Sequence, residues 1–177
     1  MPPSTTPRHT RIADAIVARL LTMTAGSTYW YTPGAVVRSR RPKDSDAFPM
    51  NIQHVLILIP DAEKHTPDTT TEILKEATYF IQASKNLKAS KSEDIFSSAH
   101  VPPETVAAKM AEDIERCLVG NSITDDVRQA WLTDVTEGAY PIAEQLFIED
   151  VDYSIYAEGW AIVVLAIRVT YSTLRAL

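Results

Sequence analysis

The stretch whose reading decides the fold is IYAEGWAIVVLAIRVTY, Ile155 to Tyr171. Every odd position in it except Gly159 is apolar: Ile155, Ala157, Ala161, Val163, Leu165, Ile167, Val169 and Tyr171. A period of two marks a β-strand whose alternate side chains enter a core. The even positions Trp160, Ile162, Val164 and Ala166 are apolar too. Such a strand is central and covered on both faces, by helix on one side and by helix, sheet or another subunit on the other.

Working outward, Ile142 to Val151 reads as a neighbouring strand, although Ala143 to Leu146 also tolerate a helical turn. His54 to Pro60 (HVLILIP) is a continuous apolar run of strand length ended by a proline, which predicts a core strand. Residues 72–84 (EILKEATYFIQAS) fit two periods. Ile73, Leu74, Ala77, Phe80 and Ile81 make a helical stripe, whereas Thr78 to Ile81 favour a strand. Strand is preferred, because the neighbouring β segments need a partner. Tyr29 to Val37 (YWYTPGAVV) is aromatic and β-branched, and its Pro33 and Gly34 point to an edge or a bulge.

Two helices complete the set. After Thr10 as N-cap, Ile12, Ile16, Leu20 and Met23 recur at helical spacing until Gly26. Pro102 and Pro103 open a second helix with Val106, Met110, Ile114 and Cys117 or Leu118 on one face, stopped at Gly120. Ser122 to Val135 has room for a short third one. The expected fold is α+β: a mostly antiparallel sheet of four to five strands packed by two main helices, with long exposed loops at Arg38–Pro49, Pro60–Thr71 and Lys85–His100. Residues 1–10 are expected to be a flexible segment and residues 11–177 a single domain, since 177 residues suit one core better than two.

The composition, 45% hydrophobic and 23% charged, is that of an ordinary globular domain. A net charge of −6 argues against generic binding to a phosphate backbone. The charge is unevenly spread: residues 1–60 carry seven basic and three acidic side chains, a net of +4, and residues 101–177 five basic and thirteen acidic, a net of −8. One cysteine, Cys117, excludes an internal disulfide and a multi-cysteine zinc site. No apolar run approaches the roughly 18 residues of a membrane span, and Met1 to Thr10 lacks the apolar core of a signal peptide, so a cytoplasmic chain without membrane contact is expected.

The search for chemistry gives little. Neither a nucleophile elbow nor a glycine-rich phosphate loop occurs. The four histidines, His9, His54, His65 and His100, are far apart, with no helical pair able to hold zinc. Cys117 falls on the apolar side of a helix, where small buried thiols are usual. Two groups stand out as interface candidates. In a strand, Asp150 and Asp152 project from one face and, with Glu149, either share a divalent cation or form an acidic edge. Arg38, Arg40, Arg41 and Lys43 form a basic patch for an acidic protein face or a phosphate. No cofactor, resident metal or catalytic residue is expected.

The order of elements, together with RIADAIVARLLTMTAGS (11–27) leading into YWYTPGAVVRS (29–39), HVLILIPD (54–61), TVAAKMAEDIERCLVG (105–120) and EGWAIVVLAIRVTYST (158–173), resembles the tail-terminator, or tail-completion, proteins of long-tailed bacteriophages. The resemblance covers most of the chain through a pattern of elements. It implies a non-enzymatic virion subunit in the tail or neck, forming a hexameric ring at the head-proximal end of the tail and assembled in the host cytoplasm. Its implied partners are further copies of itself, the tail-tube protein and a head-completion or stopper protein, with passive contact to DNA in the lumen. The long loops depart from the pattern and leave room for another neck or connector subunit. A metal-dependent hydrolase built on Glu149, Asp150 and Asp152, and an adaptor that binds one host protein, are the readings from other classes.

Overall fold

A computed structural model describes residues 6–26, 28–38, 55–67, 72–87, 101–119, 132, 142–153 and 159–174. Their order is α1 (Arg8–Leu20), β1 (Ala35–Arg38), β2 (Val55–Pro67), β3 (Glu72–Asn86), α2 (Pro103–Val119), β4 (Gln145–Asp152) and β5 (Trp160–Leu174). The five strands form one sheet in the order β1-β2-β3-β5-β4. β1 runs parallel to β2, and every other pairing is antiparallel. This is the expected α+β class, with the closing strand between β3 and β4.

The alternation in β5 is the alternation of the two sheet faces. Ala161, Val163, Leu165, Ile167, Val169 and Tyr171, with Ala77, Tyr79, Ile81 and Ala83 beside them on β3, are at most 3% exposed. Both helices contribute to the same buried cluster, α1 through Ile12, Ile16 and Leu20, α2 through Val106, Met110, Ile114 and Leu118. Burying a side chain of this kind stabilises by roughly 1.5–3 kcal/mol, so this face holds most of the fold's hydrophobic stabilisation. Gly159 opens β5 at φ 79, a left-handed conformation that side chains disfavour, and its carbonyl accepts the Leu87 N–H at 2.8 Å.

Residues 72–84 are strand, as preferred. α2 runs from Pro103 to Val119 with the predicted apolar face buried. β1 is an edge strand, in keeping with Pro33 and Gly34.

Several boundaries differ from expectation. α1 starts at Arg8, inside the segment expected to be flexible. Its N-cap is Pro7, so Thr10 lies within the first turn and does not cap it. It ends at Leu20 rather than near Gly26, where the Thr22 hydroxyl donates to the Arg19 carbonyl at 2.7 Å and satisfies an end-of-helix acceptor. Tyr29 to Pro33 are not strand, because the Trp30 and Tyr31 N–H groups are bonded to the carboxylate of Asp113 instead of to a ladder. Pro60 does not end β2. The strand shifts register between Pro60 and Ala62 and continues to Pro67, so residues 60–67 are strand rather than loop, and residues 68–71 lie outside the described residues. The bulge absorbs a residue that cannot donate to the ladder. Lys85 and Asn86 belong to β3, and Lys85 is 1% exposed rather than solvated. Beyond Leu87 and Arg38, the rest of the Lys85–His100 and Arg38–Pro49 loops, and a helix within Ser122–Val135, lie outside the described residues, apart from buried Leu132.

Candidate interaction face

The even side chains of β5 point to the face opposite the helices. Backbone register sets positions in rows across the sheet: Val37, Ile57, Gln82, Val164 and Asp152 in one, Ile59, Phe80, Ala166 and Asp150 in the next. Phe80, Ile162, Val164 and Ala166 are half-buried although no described helix packs on them. At the rims, Val37 on β1 is 40% exposed and Phe147 on β4 is 41% exposed. The face is therefore apolar along β5 and at Phe80, Val37 and Phe147, with buried Gln82 and Ser84 between and the carboxylates of Asp150 and Asp152 at the β4 end.

β4 adds charge to one rim. A register shift between Ile148 and Asp150 makes Glu149 an extra residue, which bends the edge. Glu149 reaches Arg168 of β5, Oε1 to Nε 2.9 Å, at an angle that leaves that nitrogen without a formed hydrogen bond. Arg168 also lies 3.6 Å from Glu76 and 5.4 Å from the centroid of the Phe147 ring, so its charge is neutralised within the sheet. Asp150 and Asp152 share the open face, as their spacing predicts, and both are exposed. Asp150 Oδ1 accepts the Val151 N–H at 2.9 Å.

The predicted interface residues do not gather into one site. Arg38 ends β1 on the helix side of the sheet, where it pairs with Asp14 of α1 at 2.7 Å. Arg40, Arg41 and Lys43 lie outside the described residues. Glu149, Asp150 and Asp152 sit at the opposite edge of the sheet. Among the described residues no three His, Cys, Asp or Glu side chains group to hold a metal ion.

The structure also assembles a polar node that the sequence hid. Glu63 and His65 sit two apart on β2, facing the helix side. Glu63 accepts hydrogen bonds from the Tyr171 hydroxyl and from Lys75 Nζ at 2.9 Å, and lies 2.6 Å from His65 Nε2. His9 Nδ1 of α1 stands 3.8 Å from its other oxygen. Burial acts to raise the Glu63 pKa, but the bonds from Tyr171, Lys75 and His65 outweigh it and hold the carboxyl at about 2. Burial, then the Glu63 bond, push the Tyr171 hydroxyl above the usual phenol range. Tyr79 donates to the His9 carbonyl at 2.9 Å, and Arg8 donates to the carbonyls of Ile142 (3.0 Å) and Ser172 (2.7 Å). The node thus ties the start of α1 to three strands. The Glu63–His65 alternation was its only sequence signal, masked by reading Pro60 as a strand end.

A second device holds the segment before β1. Lys109, Asp113 and Arg116 lie on one face of α2. Fully buried Asp113 Oδ2 accepts from Trp30 N at 2.6 Å and Tyr31 N at 2.7 Å, Arg116 donates to the Thr28 carbonyl at 2.6 Å, and Lys109 Nζ sits 4.4 Å over the Trp30 ring. Burial pushes the Asp113 pKa up, against the pull of the two backbone bonds. Cys117 is buried, with its thiol bonded to the Arg19 carbonyl at 3.3 Å, and burial raises its pKa as well.

No helix among the described residues is long and apolar enough to cross a membrane. Set beside known proteins, the chain matches no family model and no curated protein.

Proposed function

We propose that this chain is a structural subunit that assembles with copies of itself, in a ring at the head-proximal end of a phage tail, where it ends tail-tube growth and joins tail to head. The observation that carries the reading is the open sheet face. A central strand with apolar side chains on both sides has one side filled by helices and the other rimmed by exposed Val37 and Phe147. Apolar side chains on an uncovered sheet face are stabilised by a partner. The resemblance to tail-terminator proteins supplies the ring, the tail-tube and stopper partners and the virion location.

Negative-stain imaging and mass photometry of the purified chain, alone and with tail tubes, test this reading. Rings that cap tubes are the expected result. A protein that stays monomeric at high concentration and never caps a tube overturns it.

A further inference from the structure

The sheet contains two parallel crossovers, and their directions decide what lies over part of the open face. β3 and β4 run parallel with β5 between them, and the chain joining them carries α2, which packs with α1 on the covered side. β1 and β2 are parallel neighbours that run opposite to β3, and the sixteen residues 39–54 join them. Both steps move across the sheet towards β4. Two crossovers that step the same way between oppositely directed strands share one hand only if they lie on opposite faces. Nearly all such connections are right-handed. With α2 on one face, the connection from β1 to β2 belongs on the other.

Burial on the open face agrees. Gln82 and Ser84 of β3 alternate with Ile81, Ala83 and Lys85 and so belong to the open face, yet they are only 7% and 2% exposed although neither described helix lies there. They pair with Ile57 and Val55 at the start of β2, directly after the sixteen residues. At the far end of the same face Phe147, Asp150 and Asp152 are exposed. Burial is thus confined to the end of β2 that the connection enters.

We infer that residues 39–54 pass over the β1–β3 half of the open face and seat the apolar run Ala47, Phe48, Pro49 and Met50 on Gln82 and Ser84. This does not rest on the ring reading; it narrows the surface left to a neighbouring copy to Val164, Ala166 and Phe147. The sequence of the connection suits the path: Arg40, Arg41 and Lys43 fall in its first half, and its apolar side chains fall in the second, next to Val55. Burial against half-buried Phe80 and Ile162 stabilises them, and the Gln82 amide and Ser84 hydroxyl offer hydrogen bonds to a passing backbone. Length allows it as well. Sixteen extended residues reach about 50 Å, several times the roughly 10 Å of the four-residue β1 that the chain must retrace.

Cysteine labelling tests it. Gln82→Cys and Phe147→Cys are made singly in the full chain, with buried Cys117 as the slow internal control, and maleimide uptake is followed by mass spectrometry over a dilution series. The thiol at position 82 should react about tenfold or more slowly than the one at position 147, at every dilution. Replacing residues 46–52 by glycine and serine at equal length should erase that difference and leave position 147 unchanged. Should that variant misfold, the pair Phe48→Ser and Met50→Ser serves in its place and should speed labelling at position 82 alone. Equal rates at the two positions in the unreplaced chain, or protection that survives the replacement, overturn the inference. Protection lost on dilution assigns the seat to another copy, which also overturns it and leaves the ring reading standing. Protection in a chain that never forms rings upholds this inference and sinks that reading.

Discussion

The two faces of β5 are built from neighbouring residues of one strand and meet different fates. Leu165 is fully buried beneath the helices, while Val164 and Ala166 on either side of it lie half-buried on the open face. Hydrophobicity alone does not separate them. What separates them is that the two helices among the described residues, α1 and α2, both lie on one side. The covered face therefore sets the stability of the single chain, and the open face is where the proposed assembly would act.

That contrast can be broken from either side. The largest effect is expected under the helices: Leu165→Ala should lower the unfolding free energy by about 2–5 kcal/mol, read by urea denaturation, because the cavity adds to the lost transfer energy. Next, Asp113→Ala removes the acceptor of two backbone N–H groups and should cost about 1–3 kcal/mol by the same measurement. Glu63→Gln is read against pH. Its folded pKa of about 2 lies below the ordinary 4.5, so its contribution is present above pH 4.5 and lost as pH falls towards 2. The variant should be less stable at neutral pH, and the gap should close on acidification over that window; a constant gap would dissociate Glu63 from the node's electrostatics. The smallest change in stability is expected on the open face. Val164→Lys should leave the monomer within about 1 kcal/mol of wild type while abolishing assembly, which sharpens the comparison with its neighbour Leu165.

Periodicity was legible wherever one sheet face or one helix face was buried. The odd residues of β5 and the Val106, Met110, Ile114 face of α2 follow their spacing. Boundaries were less so, because they depend on bonds between distant residues. Asp113 draws the Tyr29–Tyr31 backbone out of a strand across more than eighty positions, and Thr22 closes α1 before the glycine that the spacing pointed to. The same holds for the polar sites. The shared face of Asp150 and Asp152 follows from a period of two, but the diversion of Arg38 to Asp14 and of Glu149 to Arg168 does not. Nor does the node at Glu63, which needs α1, β2, β3 and β5 in place before its members meet.

Pro60 has a consequence for the kind of association open to this protein. β1 accompanies β2 only as far as Leu58, so from Ile59 onward the outer margin of β2 has no strand beside it among the described residues. There the chain carries an imide ring without a donor, a register slip, exposed Lys64 and His65, and a terminal Pro67. On the far margin the extra residue Glu149 interrupts β4. Both borders thus discourage another backbone from adding on. In the assembly we propose, copies would recognise one another through side chains, a reversible and register-specific mode, rather than by open-ended growth of one shared ladder.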